Sequence, residues 1–255
     1  MLKSILPLIR PHSTYVEAFA GGLAVLLAKP RSPAEIVNDI NGDLVNLYRH
    51  AQYHLDPLLD EIRWTLSSRE ELEGLLAQPG LTGLQRAARF LLLNRMSFGG
   101  GGANFAVTRQ AQPSRENILE ALRGMNKRLD KVAVENLSWE RLLKLYDDPR
   151  TLWFFDPPYS AGKVENYSAW SPETMAAFAQ RVLELEGDWI VTVNNCSENR
   201  RHFAGHEITP VTTRSGTVNQ RLRPHATFSE LLIRRRSSKA TVVSLARLAG
   251  SKLAA

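Results

Sequence analysis

The residues best suited to chemistry are Asp156 and Tyr159, which follow a run of four apolar residues, three of them aromatic. Such a run fits a buried strand. Pro157 and Pro158 lack the backbone N–H and cannot continue a strand ladder, so Asp156 and Tyr159 should lie beyond its carboxyl end. In open α/β sheets ligands bind at that edge. A carboxylate that accepts an N–H beside a flat ring suits a planar base with an exocyclic amine. The alternative is a proline-stiffened turn with Tyr159 in the core.

A second candidate site lies near the N-terminus, where the strand pattern of Tyr15–Phe19 runs into Gly21 and Gly22. Small residues let the backbone pass close to a ligand at a helix N-terminus. Asp39 lies roughly 20 residues further on, the spacing at which an acidic residue binds ribose hydroxyls in nucleotide-binding folds. Asp39 could instead cap the following helix, a role that Asn38 or Asn41 could also fill.

Strand patterns alternate with helix patterns along most of the chain. The predicted strands are Thr14–Phe19, Glu35–Asp39, Val132–Asn136, Leu152–Asp156, Trp189–Asn194 and Phe228–Arg234. The predicted helices are Leu23–Lys29, Asn41–Ala51, Thr82–Asn94, Ser114–Leu129 and Pro172–Glu186. This alternation indicates an α/β fold with a largely parallel sheet. We expect a core of residues 1–54 and 131–236, a helical insertion over 55–130 and a solvated basic tail over 237–255.

Composition and charge restrict the class of protein. The 255 residues carry a net charge of +6 and give a pI of about 9.6, which favours a polyanionic partner. The single cysteine, Cys196, excludes an internal disulfide and is consistent with a cytoplasmic protein. No apolar run approaches the length of a membrane span, so no membrane association is expected. The six histidines show no metal-ligand spacing, so no metal is expected.

In their order along the chain, several segments resemble one family. They are Tyr15–Leu27, Asn38–Arg49, Phe90–Phe105, Phe154–Tyr159, Val193–Asn195 and Glu230–Ile233. The chain resembles the Dam-related DNA methyltransferases that are specific for the N6 amine of adenine, in particular the form common in phages and prophages. The resemblance extends from about Leu6 to Arg234.

The resemblance implies a Rossmann-like sheet that binds S-adenosylmethionine. The residues expected to contact this cofactor are Glu17, Phe19, Gly21, Gly22, Asp39, Trp139 and Asp156. Asp39 would hold the ribose hydroxyls, and Trp139 would flank the cofactor's adenine ring.

The resemblance also implies that the catalytic residues are Asp156, Pro157, Pro158 and Tyr159. Asp156 and the carbonyl of Pro157 would accept hydrogen bonds from the target amine, and Tyr159 would stack on an adenine extruded from double-stranded DNA. No metal would be needed. A cognate restriction enzyme is a candidate partner.

The DNA-facing residues implied by the resemblance lie in the insertion. They are Arg95, Phe98, Gly99, Gly100, Asn104 and Arg109. Further basic residues either contact phosphates or form solvated helix faces, and the pattern does not separate the two; they are Arg86, Arg89, Arg115, Arg123, Lys127 and Arg128.

The sequence departs from the family pattern at several points. Ala18 stands where the family usually has Pro, Leu23 where a further small residue is common, and Ser138 where an acidic residue is frequent. The Trp/Gly-Gly-Lys segment that usually precedes the first strand is absent from the sequence given. One alternative is therefore a degenerate, non-catalytic DNA-binding relative. A second is a methyltransferase that acts on the cytosine amine, although the motif order and the match over Phe90–Phe105 argue against it. A glutamine-directed protein methyltransferase is disfavoured, because such enzymes typically have Asn where Asp156 stands.

Overall fold

The core of the protein is a seven-stranded sheet with the strand order β3-β2-β1-β4-β5-β7-β6. The computed structural model describes residues 1–78, 82–96, 114–158, 170–214 and 227–236. The strands are β1 (Thr14–Glu17), β2 (Ala34–Asn38), β3 (Val132–Glu135), β4 (Thr151–Phe155), β5 (Asp188–Asn194), β6 (Glu207–Arg214) and β7 (Thr227–Arg234). This order confirms the predicted α/β fold, and the six predicted strands are present with small shifts at their ends.

The sheet is parallel from β3 through β5, and β7 runs antiparallel to both β5 and β6. The seventh strand, β6, was not predicted from the sequence and is the edge strand next to β7. Pro210 lies within β6 and argues against a strand when only the sequence is read. An edge strand tolerates proline because one side of its ladder is unpaired.

The described residues form ten α-helices. They are α1 (Leu2–Ile5), α2 (Ala24–Ala28), α3 (Gly42–Tyr53), α4 (Leu55–Trp64), α5 (Arg69–Ala77), α6 (Gly83–Met96), α7 (Arg115–Leu129), α8 (Trp139–Tyr146), α9 (Pro172–Leu183) and α10 (Ser197–His202). Asn41 caps α3 by accepting hydrogen bonds from Asp43 N and Leu44 N. Ser171 caps α9 by accepting one from Thr174 N, and a proline follows at the first position of that helix.

Alternate residues of the strands pack into two apolar layers, one on each face of the sheet. Val16, Trp153 and Val191 belong to the layer that α8 and α9 cover. Tyr15 and Leu152 belong to the opposite layer with α2 and α3. Because both faces are covered, the central strands are apolar at nearly every position, which is the pattern expected of buried parallel strands.

Helices α4 to α7 form the segment inserted between β2 and β3, and they pack on α3 around a third apolar cluster. Leu47 and Ala51 of α3 contribute to this cluster together with residues such as Leu58 and Leu119. Helix α3 therefore belongs to the core and is also the helix on which the insertion packs. The division of the chain into a core and a DNA-recognition insertion stays a prediction.

None of the helices within the described residues is long and apolar enough to cross a membrane.

Candidate active site

A cavity of about 880 Å³ opens at the carboxyl ends of β1 and β4, where the strand order reverses. Ligands of open α/β sheets bind at this kind of switch point. All the residues predicted to contact the cofactor line the cavity, together with Pro158: Glu17, Phe19, Gly21, Gly22, Asp39, Trp139 and Asp156. The sheet thus brings the glycine turn, the acidic residue after β2 and the Asp-Pro-Pro segment to one site.

The glycine turn after β1 presents bare backbone to the cavity. Gly21 has a φ of +47°, in the left-handed region that favours glycine. A Cβ atom placed on Gly21 or Gly22 would meet no atom within 4 Å, so the space beside the turn is open to a ligand. Tyr48 of α3 donates a hydrogen bond from its hydroxyl to Gly21 O and holds the turn in place.

Three of the departures from the family pattern have local explanations. Leu23 is also left-handed, with a φ of 59°, and burial of its whole side chain offsets the backbone strain that only glycine would avoid. Ala18 N donates a hydrogen bond to Phe154 O at 3.2 Å, which a proline could not do. Ser138 caps α8 by accepting a hydrogen bond from Arg141 N.

Asp39 follows β2 and is 4% exposed. Its Oδ2 accepts a hydrogen bond from Gly21 N at 3.0 Å, and its Oδ1 accepts one from Asn41 N at 2.9 Å. Burial raises the pKa of Asp39, while the two backbone N–H groups act against that rise. The helix cap is Asn41 and not Asp39. A carboxylate has about four acceptor positions, so Asp39 keeps acceptor capacity for a vicinal diol.

Asn38 lies under this edge of the sheet and joins three segments. Its side-chain nitrogen donates to Ala18 O at 3.0 Å and to Leu137 O at 3.1 Å, and its Oδ1 accepts from Leu137 N at 2.8 Å. The residue is 1% exposed. Asn38 therefore fixes the loops after β1, β2 and β3 relative to one another, a structural role that the sequence did not indicate.

Glu17 ends β1 and lies at the floor of the cavity, 2% exposed. Its Oε2 accepts hydrogen bonds from the Tyr15 hydroxyl at 3.2 Å and from Leu26 N at 3.1 Å. Burial raises the pKa of Glu17 to about 8, and the nearby Asp156 carboxylate adds to the rise. The side chain is therefore largely protonated at neutral pH until a cationic group enters the cavity.

One wall of the cavity is aromatic. Phe19 and Trp170 meet edge to face with ring centroids 5.4 Å apart, and Trp139 lies 6.4 Å from Trp170. Phe178 packs behind them, 5.4 Å from Trp139. Sequence reasoning identified Phe19 and Trp139 but missed Trp170. Such a wall can hold a flat ring or a soft cation through its π faces.

Asp156 lies beyond the end of β4, exposed at the cavity, and it is followed by the buried Pro157 and the half-buried Pro158. The Thr192 hydroxyl of β5 donates a hydrogen bond to Asp156 Oδ1 at 2.7 Å. Thr192 also lines the cavity, as does Glu230 of β7. Sequence reasoning missed both residues. The one signal for Thr192 was a hydroxyl within an otherwise apolar strand pattern.

Several predicted residues fall outside the described part of the chain: Phe98, Gly99, Gly100, Asn104, Arg109 and Tyr159. Arg95 lies in the last turn of α6 with an exposed side chain and does not line the cavity. Arg128 forms a buried ion pair with Glu35, so it belongs neither to a solvated face nor to a surface free for phosphates.

The acidic and aromatic side chains of the cavity fit S-adenosylmethionine. Asp39 can accept bonds from a ribose diol, the aromatic wall can flank the adenine and the sulfonium, and buried acids can oppose the positive charge. Among the described residues, no group of three or more His, Cys, Asp or Glu side chains could hold a metal ion.

The strand order, with an antiparallel β7 between β5 and β6, and the cavity at the β1/β4 switch point define a Rossmann-like methyltransferase fold. The family model for D12 class N6 adenine-specific DNA methyltransferases matches residues 1–184. The chain belongs to this family.

Three solved structures are distantly similar to the chain. A conserved hypothetical protein of Streptococcus pyogenes is 12% identical, with 91% of this chain and 94% of that one covered and a TM-score of 0.36. A putative methyltransferase, yhhF, of Escherichia coli is 11% identical, with 91% and 81% covered and a TM-score of 0.36. An rRNA methylase of Streptococcus thermophilus is 11% identical, with 90% and 92% covered and a TM-score of 0.34. No curated protein matches the chain. Similarities this distant do not bear on the substrate.

Proposed function

We propose that the protein transfers a methyl group from S-adenosylmethionine to the N6 amine of an adenine extruded from double-stranded DNA. The observation that carries this proposal is that one cavity contains both sets of predicted contacts. Asp39 and the glycine turn lie at one part of it, and Asp156 and Pro158 at another. A donor and an acceptor bound in the same cavity would meet at the sheet edge.

At the cofactor end, each group has a role that follows from its contacts. Asp39, held by Gly21 N and Asn41 N, would accept the ribose hydroxyls. Trp139 would flank the adenine ring, and Glu17 would oppose the positive charge. When bound, S-adenosylmethionine supplies an electrophilic methyl group on a sulfonium.

At the target end, the chemistry requires a stronger nucleophile, because the adenine amine shares its lone pair with the ring. Hydrogen bonds from the amine to Asp156 and to Pro157 O would favour a tetrahedral nitrogen, and Tyr159 would stack on the base. The nitrogen would form its bond to the methyl carbon as the carbon–sulfur bond breaks, and sulfur would keep the electron pair. The nitrogen then loses one proton, which Asp156 passes to water. Most of the acceleration would come from positioning and from preorganised acceptors.

DNA would bind across the exposed carboxyl edge of the sheet and the insertion. We assign contacts with it to Arg95, Phe98, Gly99, Gly100, Asn104 and Arg109. The protein's positive charge favours this partner. The phage or prophage origin, the partnership with a restriction enzyme and the cytoplasmic location stay predictions.

The test is methyl transfer from labelled S-adenosylmethionine to unmethylated duplex DNA, with the product nucleosides identified by mass spectrometry. The wild type should form N6-methyladenine and should do so in the presence of a chelator. Asp156→Ala should reduce the rate at least about 100-fold, since it removes a preorganised acceptor at the reacting amine. Asp148→Ala is the matched control, because Asp148 lies just before the amino end of the same strand and, within the described part of the chain, its side chain accepts hydrogen bonds from Arg150 alone.

The outcomes separate the candidate functions. N4-methylcytosine in place of N6-methyladenine would favour the cytosine-amine enzyme. A wild type that binds duplex DNA but neither binds S-adenosylmethionine nor methylates any base would favour the non-catalytic relative. Equal rates for Asp156→Ala and the wild type would refute the role of Asp156.

A further inference from the structure

The Thr192 hydroxyl contacts the predicted catalytic carboxylate. Thr192 lies in the middle of β5, is 2% exposed, and its Oγ1 is 2.7 Å from Asp156 Oδ1. The same oxygen is 3.3 Å from Phe155 O. A threonine hydroxyl has one proton to donate, and the shorter contact with the charged acceptor is the stronger of the two.

The sheet register brings these two residues together. Phe155 pairs with Val191 between the parallel strands β4 and β5, so the next residue of each strand, Asp156 and Thr192, lies at the same level. Thr192 is buried within β5, with residues of that strand before and after it. Asp156 is exposed and lies after the last residue of β4. The buried residue can therefore fix the orientation of the exposed one.

We infer that Thr192 is a positioning residue for methyl transfer, with its hydroxyl holding the Asp156 carboxylate in the orientation that receives the target amine. This inference rests on the proposed function. Thr192 itself need not touch the substrate. Its contribution is to keep the acceptor preorganised, so that no carboxylate rotation is required when the amine arrives.

A buried strand hydroxyl could instead serve stability alone, and the chain contains a matched residue for that comparison. Thr151 begins β4 at the opposite end of the sheet, is 1% exposed, and donates its hydroxyl to Tyr146 O at 2.9 Å. Both threonines are buried in strands and both make a hydrogen bond. Of these two threonines, Thr192 is the one that bonds the carboxylate in the cavity.

The experiment compares Thr192→Val, Thr192→Ser and Thr151→Val with the wild type in steady-state methyl transfer to duplex DNA. Valine keeps the shape and the β-branch but lacks the hydroxyl. Thr192→Val should lower kcat about 10- to 100-fold, the effect of losing a hydrogen bond to a charged group, with KM values for both substrates within about twofold. Thr192→Ser should restore kcat to within about threefold of the wild type, because its hydroxyl can make the same bond.

Thr151→Val should lower the melting temperature at least as much as Thr192→Val while leaving kcat unchanged. A kcat for Thr192→Val within twofold of an active wild type would overturn the inference and leave the proposed function intact. Equal losses of kcat in Thr151→Val and Thr192→Val would also overturn it, since the effect would then follow stability. A wild type without methyl transfer would overturn the proposed function and this inference with it.

Discussion

Glu35 joins the helical insertion to the sheet, and its replacement gives a prediction that can be worked out quantitatively. Its Oε1 accepts from Lys29 Nζ at 2.5 Å, and its two oxygens pair with the Arg128 guanidinium at 2.5 and 2.8 Å. The Glu35 and Lys29 side chains are 3% and 1% exposed, and that of Arg128 is 11% exposed. Arg128 belongs to α7 and Glu35 to β2. Glu35→Gln would leave two buried cations facing a neutral amide.

The magnitude follows from the pKa of Glu35. Burial would raise it, but the bonds to Arg128, Lys29 and Ser32 N outweigh burial and lower it from 4.5 to about 2. A difference of this size corresponds to about 3 kcal/mol of stability, and removing one partner of a buried pair costs about 3–5 kcal/mol. Burial also lowers the pKa of Lys29 despite its bond to Glu35, so burial disfavours the charged form of this lysine. We therefore expect the lower figure, about 3 kcal/mol at pH 7.

The assay is urea unfolding of the wild type and Glu35→Gln between pH 7 and pH 2. Because the pKa of Glu35 is lower in the folded state, its stabilisation is complete above about pH 5 and declines as the pH falls from 4.5 towards 2. The difference between the two proteins should shrink over that range. Glu116→Gln is the control, because Glu116 pairs with Arg123 on the same helix α7 but is 61% exposed. It should cost less than about 1 kcal/mol. Equal costs for the two variants, or a difference that persists undiminished at pH 2, would refute the reasoning.

Three further predictions concern the cavity. Asp39→Asn should weaken S-adenosylmethionine binding, measured by calorimetry, at least about tenfold. The asparagine amide would turn an N–H toward one of the backbone N–H groups, of Gly21 or Asn41, that now donate to the carboxylate. Asp43→Asn, at an exposed position, should leave the affinity unchanged. The free energy of unfolding of the ligand-free wild type should fall by up to about 4 kcal/mol between pH 4.5 and pH 8. Folding raises the pKa of Glu17 from 4.5 to about 8, so the unfolded state loses this proton first and is favoured as the pH rises. Glu17→Gln should lack this decline, and an identical decline would exclude Glu17 as its source. Trp139→Leu should weaken S-adenosylmethionine binding about two- to tenfold through the lost aromatic contact; unchanged affinity would place the cofactor elsewhere.

Much of the fold could be predicted because buried parallel strands are recognisable as short apolar runs. Leu152–Asp156 and Trp189–Asn194 were predicted within one residue of the observed β4 and β5. The edge strand β6 could not be predicted in this way, because Pro210 and its polar residues match a loop equally well. Helix α10 is only six residues long and begins at a cysteine cap, which gives little local signal.

Residue types were a poor guide to the roles of basic residues in the insertion. Arginine is a residue type that often binds phosphate, but Arg128 is buried against Glu35, which precedes it by 93 residues. Arg115 similarly donates to Arg63 O and Thr65 O at the end of α4. Only the packing of the helices on the core distinguishes such residues from exposed ones such as Arg95.

The sequence by itself determined the family, the strand–helix alternation and the main acidic residues of the cavity, because each depends on local spacing. Asp39 and Asp156 each end a strand pattern and Glu17 lies near the end of another, and parallel strands bring their carboxyl ends to one edge. Only the tertiary structure decided which groups support these acids. Thr192 reaches Asp156 across 36 residues of sequence, and that contact depends on the register of two neighbouring strands, which no local pattern encodes.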